Sequence, residues 1–218
     1  MERFVTLLLC LALLLVLSPL AEVYTWGTLL SDLLLSLTLL AGIVSISTRR
    51  WQVITGATMG ITVFLATWVA YVTHYWAADV AQAALGLAYF GFTAGDTCYW
   101  LLTRSRIGVN ELAAAACIYL LLGLTGAFVF MLLDLTVPPA VVSIAGGEFA
   151  EMVPRPETFN GYVYFSFTTL TTLGYGDLVP AHPVSRAFAT LEAILGQIFL
   201  AIMIARLVGL HISQQNQR

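Results

Sequence analysis

The chain has 218 residues, of which 60% are hydrophobic and only 10% charged, with a formal net charge of -3 and a mean hydropathy of +0.90. Soluble domains carry about 25% charged residues, so this composition excludes an ordinary water-soluble domain. There is no lysine and no basic patch, which leaves no footprint for nucleic acid. Cys10, Cys98 and Cys117 all fall inside apolar runs, at spacings that suit neither a metal site nor a disulfide framework. They read as small apolar packing residues.

Six stretches are long and apolar enough for helices across a bilayer of ~30 Å, which needs ~20 residues each. They are residues 4–20, 26–46, 51–73, 77–102, 112–133 and 187–210. The first also has the apolar run of a signal peptide, but Glu2 cancels Arg3 and Pro19 sits poorly for cleavage after Ala21. It is taken as a retained helix. Arginine placement sets the orientation. With the N-terminus cytoplasmic, Arg3, Arg49, Arg50, Arg104, Arg106 and Arg218 lie inside, with Arg206 near the inner end of the last helix. Arg155 and Arg186 lie outside, which satisfies the positive-inside rule. Glu22, Asp79, Asp134, Glu148, Glu151, Glu157 and Asp177 collect on the outer side. Tyr24, Trp26, Tyr75 and Trp76 mark the outer interface; Trp51, Tyr99 and Trp100 mark the inner one.

The expected fold is therefore an all-α membrane protein with six transmembrane helices. Between the fifth and sixth lies something different. Residues 134–158 hold Pro138, Pro139, Gly146, Gly147, Pro154 and Pro156, and read as an irregular extracellular turret. Pro156-Glu157-Thr158 looks like a helix start, with Thr158 or Asn160 as N-cap; Asn110-Glu111 is another, ahead of the fifth segment. The apolar run 162–170 is too short to cross, so it re-enters from the outside. The run Thr171-Thr172-Leu173-Gly174-Tyr175-Gly176-Asp177 follows it. Non-helical backbone at membrane depth is tolerated only where it is buried in protein or lines a watery cavity. Glycines at alternate positions take positive φ without steric cost, and alternating backbone hand lets successive carbonyls point the same way. Each carbonyl becomes a ligand at roughly 3 Å intervals along extended chain, and the Thr172 hydroxyl adds one more oxygen. Dipoles without a full charge suit a monovalent cation that must also leave.

Over residues 112–210 this arrangement of short helix, Thr-x-Gly-Tyr-Gly-Asp and inner helix resembles the potassium channel family, whose selectivity filters are built from such carbonyls. The resemblance implies potassium sites at Thr172, Leu173, Gly174 and Tyr175, with Gly176 closing the filter. Leu173 stands where valine is commonest, its side chain turned from the ions. Thr171 and Thr172 match the paired threonines before the filter. Tyr164 and Phe165 match an aromatic cuff, and Asp177 matches the acid above the filter, which Tyr164 can bond through its hydroxyl. Gly196 stands at the place of a hinge glycine, with close helix packing as the alternative. One loop per chain implies a homotetramer, and the C-terminal carbonyls of four pore helices would hold a cation at mid-membrane. Gln197, Leu200, Ile204 and Val208 form the stripe facing the cavity, with the last three as a dewetting gate; Gln197 alternatively bonds a neighbouring helix. Residues 1–107 then form a four-helix unit like a voltage sensor without its arginines, and 108–218 the pore domain.

Voltage sensing of the usual kind needs several gating charges, and none lies between 77 and 102. Asp32 and Asp96 are either cation or proton sites or are satisfied by Ser31, Thr93, Thr97 or an arginine. Glu192 should lie behind the filter, bracing the pore helix through Thr168 or Thr169, or staying protonated. His182 and His211 titrate near neutral pH and are either proton sensors or solvated interface residues. The expected function is passive potassium conduction at the cell membrane, with both termini cytoplasmic, lipid and potassium ions as partners, no cofactor and no covalent chemistry. A weakly selective cation channel, a potassium uptake transporter and a regulatory channel subunit are the rival readings.

Overall fold

A computed structural model describes residues 3–21, 27–45, 50–73, 75–104, 108–144 and 158–215. Glu22, Tyr24, Trp26, Arg49, Arg106, Gly146, Gly147, Glu148, Glu151, Pro154, Arg155, Pro156, Glu157 and Arg218 lie outside these described residues. So does the His211 side chain.

Seven helices are described: α1 Arg3–Ala21, α2 Gly27–Ser45, α3 Arg50–Thr73, α4 Trp76–Leu102, α5 Val109–Thr136, α6 Phe159–Leu170 and α7 Pro183–Gln215. Two short strands, β1 Val141–Ser143 and β2 Leu178–Pro180, complete the chain. Every apolar stretch read from the sequence is helical over its described residues, including the short one that became α6. Four of the helices are long and apolar enough to cross a membrane: α1, α3, α5 and residues Pro183–Gly209 of α7. These make the chain a multi-pass membrane protein. The apolar part of α2 is shorter, Leu29–Ser45, and α4 carries Asp79 and Asp96 along its length.

Against lipid, helices gain little from the hydrophobic effect, so close packing and interhelical hydrogen bonds decide their arrangement. The core follows that rule. α5 packs against α4, α1 and α6, and α6 lies between α5 and α7. Tyr89, Phe90, Phe128 and Phe130 are among the largest fully buried side chains. Phe90 stacks on Phe128 with ring centroids 5.5 Å apart. The first helix is a full member of this core: Leu7 and Leu11 are completely buried, the Phe4 N–H donates to Asn110 Oδ1 at 3.4 Å, and the Cys117 thiol donates to the Phe4 carbonyl at 3.3 Å. The Phe4 ring lies 4.5 Å from Trp100, and the guanidinium of Arg104 sits 4.5 Å over the Trp100 ring.

At the opposite end of α1 a buried polar node joins three helices. Ser18 Oγ donates to Asn160 Oδ1 at 2.5 Å and lies 2.7 Å from Ser31 Oγ. Asn160 Nδ2 donates to the Ser18 carbonyl at 3.2 Å, one of the terminal carbonyls that a helix cannot satisfy internally. Ser31 also donates to the Gly27 carbonyl at 3.0 Å. Ser31 is thus engaged with Ser18 and Gly27 rather than with its neighbour Asp32. Thr93 likewise bonds back to the Tyr89 carbonyl at 2.9 Å, whereas Asp96 lies in the field of Arg3.

The start of the expected turret is also more regular than its prolines and glycines suggested. β1 pairs antiparallel with β2, with Val141 opposite Pro180, Val142 opposite Val179 and Ser143 opposite Leu178. The ribbon is continued by the Ile144 N–H to the Asp177 carbonyl, 3.0 Å, and the Ala181 N–H to the Ala140 carbonyl, 3.0 Å. The pairing partners come from opposite sides of α6, which explains why neither strand shows locally.

Candidate functional site

α6 is a helix of 12 residues with a defined start. The Thr158 hydroxyl accepts the Gly161 N–H at 3.1 Å, so Thr158 rather than Asn160 is the N-cap, freeing Asn160 for the node. The far end of α6 reaches into the structure, and the chain then turns through residues 171–177. The Thr172 N–H donates to the Thr169 carbonyl at 2.9 Å. Both the Leu173 and Gly174 N–H groups donate to the Thr168 carbonyl, at 2.9 and 3.1 Å. These bonds fold the start of the loop back along α6.

Positive φ occurs at every second residue: +57° at Thr172, +52° at Gly174 and +81° at Gly176. The two glycines behave as expected. A Cβ built on either meets nothing within 4 Å, so the requirement there is backbone hand, not space. Thr172 extends the alternation by one residue, which its side chain did not announce. A non-glycine held in this region costs of order 1–3 kcal/mol and persists only where surroundings fix it. Here the Thr169 carbonyl and a side chain from α7 do so: Gln197 Nε2 donates to Thr172 Oγ1 at 3.3 Å.

The predicted supports fall around this loop. The Tyr164 hydroxyl donates to Asp177 Oδ2 at 2.7 Å, while Asp177 Oδ1 accepts the Leu178 N–H at 3.0 Å. Phe165 is buried and meets Phe130 edge-on at 4.7 Å. Thr171 Oγ1 donates to the Phe167 carbonyl at 2.6 Å. Thr168 acts through its carbonyl; its hydroxyl is spent on the Phe165 carbonyl at 3.0 Å. Glu192 therefore meets α6 at a residue other than Thr168. Its partner is Ser166, whose hydroxyl lies 2.5 Å from Glu192 Oε1 and 2.6 Å from the Gly123 carbonyl. Glu192 Oε2 is buried with no hydrogen-bond partner among the described residues. A side chain at position 126 would collide with Glu192 Oε1.

Gly196 is a point of close packing. α7 is one continuous helix through it, and a side chain there would run into the Leu170 carbonyl oxygen at the end of α6. Leu200, Ile204 and Val208 are exposed on the single chain. His182 ends up as the start of α7: its Nδ1 accepts the Val184 N–H at 3.3 Å and its carbonyl accepts the Arg186 N–H at 3.0 Å. Pro183 fills the first helical position, where no N–H is needed. Among the described residues no group of three or more His, Cys, Asp or Glu could hold a metal ion.

Sequence reasoning missed several contributors. Ser166 joins α6, α5 and α7. Asp134 receives the Tyr162 hydroxyl at 2.8 Å and the Ala140 N–H at 2.6 Å, tying α6 to the approach to β1. Arg206 Nη2 donates to the Leu102 and Arg104 carbonyls at 2.8 and 3.1 Å, capping the end of α4 from α7. The only advance signal was Gly123 and Gly126 three residues apart, a spacing that permits close helix approach.

A short helix, a loop of alternating hand and a long apolar helix thus follow one another. Residues 112–211 match the ion channel family. The matched segment runs from α5 through α6 and the loop into α7. The chain is 38% identical over 63 residues to the inward rectifier potassium channel Kirbac3.1 of Paramagnetospirillum magnetotacticum, covering 29% of this chain and 21% of that protein. It is 29% identical over 83 residues to two pore potassium channel c of Oryza sativa subsp. japonica, covering 38% of this chain and 18% of that one. The match thus spans about a fifth of the length of these relatives. No solved structure gives a significant match.

Proposed function

We propose that the protein is a potassium-selective channel that conducts passively through a homotetrameric pore, with the filter at Thr172-Leu173-Gly174-Tyr175-Gly176. The observation that carries this is the alternation of backbone hand at Thr172, Gly174 and Gly176 directly beyond α6. It lets successive carbonyls of residues 172–175 serve as ion ligands, replacing hydration water. Passage requires sites that bind and release, which uncharged oxygens allow.

The single chain supplies one wall of such a path. Leu173 is 54% and Tyr175 69% exposed, and α7 exposes Leu191, Ile194, Ile198, Ile202, Ile204 and Val208. Three further copies would cover these side chains and close the ring. All six long helices then cross the cell membrane, α6 re-enters it, and both termini lie in the cytoplasm, as the arginine distribution favours. Leu200, Ile204 and Val208 form the inner constriction. The absence of arginine from α4 separates this channel from those gated by a charge ladder. No cofactor is required, and potassium is the permeant species.

The test is purified protein in liposomes. Native mass should correspond to four chains, and a potassium gradient should drive fluorescence-detected potassium flux that sodium cannot replace. Comparable sodium flux would favour the weakly selective channel. Saturable flux without single-channel steps would favour a transporter, and no flux from the protein alone a regulatory subunit.

A further inference from the structure

The pair Gly196-Gln197 on α7 performs two linked tasks. Gly196 lacks a side chain, so α7 approaches the Leu170 carbonyl at the end of α6 more closely than any other residue would permit. The next residue on the helix then lies beside the loop. Gln197 Nε2 donates to Thr172 Oγ1 at 3.3 Å. Thr172 is the one non-glycine with positive φ among the described residues, so its hydroxyl is presented by backbone that only outside contacts can hold.

We infer that Gln197 sets the strength of the innermost cation site by donating a hydrogen bond to the Thr172 hydroxyl; the inference rests on the potassium-channel reading. A hydroxyl oxygen has two lone pairs and one proton. The Gln197 N–H occupies one lone pair and places a partially positive hydrogen beside the oxygen. The field that the oxygen exerts on a cation is thereby reduced. In a tetramer this happens four times around one ion. A weaker innermost site releases ions more readily, which conduction demands. Gln197 is thus a positioning residue that tunes affinity at the filter's inner mouth without being one of its ligands.

The probe is barium, a divalent cation of potassium's size, applied to the cytoplasmic side of single channels in planar bilayers. Gln197→Met keeps the length and removes the donor. Barium block should tighten by at least about fivefold, the effect expected for one hydrogen bond when each pore loses four, and unitary conductance should fall. Gln197→Leu, a second neutral variant without the donor, should tighten block to a similar extent. Both effects should vanish in a Thr172→Ala background, because the coupling runs through that hydroxyl. Unchanged block in Gln197→Met would overturn the inference, as would an equal shift in the Thr172→Ala background. Weaker block would place the amide oxygen of Gln197 on Thr172 and overturn it too. If Gln197→Met fails to assemble by native mass, the shift in Gln197→Leu, with and without Thr172→Ala, decides alone. Wild-type protein that passes no potassium would instead sink the channel reading.

Discussion

The first four helices and the last three are equally greasy, yet they spend their polar side chains differently. In α2 to α4, Ser36, Thr38, Thr58 and Thr73 donate to carbonyls four residues back in their own helices, and Ser45 to one three residues back. Such bonds satisfy a hydroxyl without fixing a neighbour. Around α6 Thr168 and Thr171 also bond locally, but more bonds run between elements: Tyr162 to Asp134, Tyr164 to Asp177, Ser166 to Gly123 and Glu192, and Gln197 to Thr172. Bonds of the first kind let helices slide, whereas bonds of the second kind specify one geometry. A loop with three left-handed residues needs the second kind. The first region has fewer such ties: the Tyr89 hydroxyl donates to the Leu39 carbonyl at 2.6 Å, Gln82 Nε2 donates to Thr67 Oγ1 at 3.4 Å, and the Ser18–Ser31–Asn160 node joins α1 and α2 to α6.

Substitutions can break this contrast, beginning at the loop. Gly176→Ala or Gly174→Ala should abolish potassium selectivity, because an L-residue with positive φ is disfavoured by roughly 1–2 kcal/mol and four copies carry the change. Normal selectivity in ion-substitution recordings from either variant would remove the loop from the mechanism. Next comes the node. Asn160→Leu deletes bonds to both α1 and α2 and should lower resistance to denaturant by about 1–2 kcal/mol, with altered filter kinetics. A variant as stable as wild type, with the same kinetics, would show that α1 and α2 do not steady the pore helix. Tyr164→Phe removes only the hydroxyl that holds Asp177. Permeation should persist while currents decline at a different rate under sustained opening; identical decay would dismiss that bond. Ser36→Ala, which touches a single helix, should change stability by less than about 0.5 kcal/mol. A larger loss in thermal unfolding would mean that the first region is as specifically bonded as the second.

Much of the fold was legible because lipid imposes a length rule on apolar runs, and each run became a helix within a few residues of its expected ends. The loop was legible because Gly174 and Gly176 declare their backbone hand. Thr172 did not, since its left-handed φ is imposed by the Thr169 carbonyl and by Gln197, partners fixed only once α6 and α7 are packed. The same reason hid Ser166 from Glu192: Thr168 and Thr169 were equally plausible by sequence, and the choice depends on which face of α6 meets α7. Gly196 offered hinge or contact, and the contact shows only once the Leu170 carbonyl is placed beside it. The β1–β2 pairing was invisible because its halves flank α6 and each is 3 residues long.

The most direct test of the central claim is the reversal potential of single channels from purified wild-type protein, with potassium on one side progressively replaced by sodium. The proposed filter predicts a shift near 59 mV for each tenfold change in the potassium gradient, whatever the sodium concentration. A reversal potential that stays near zero as sodium replaces potassium would contradict it.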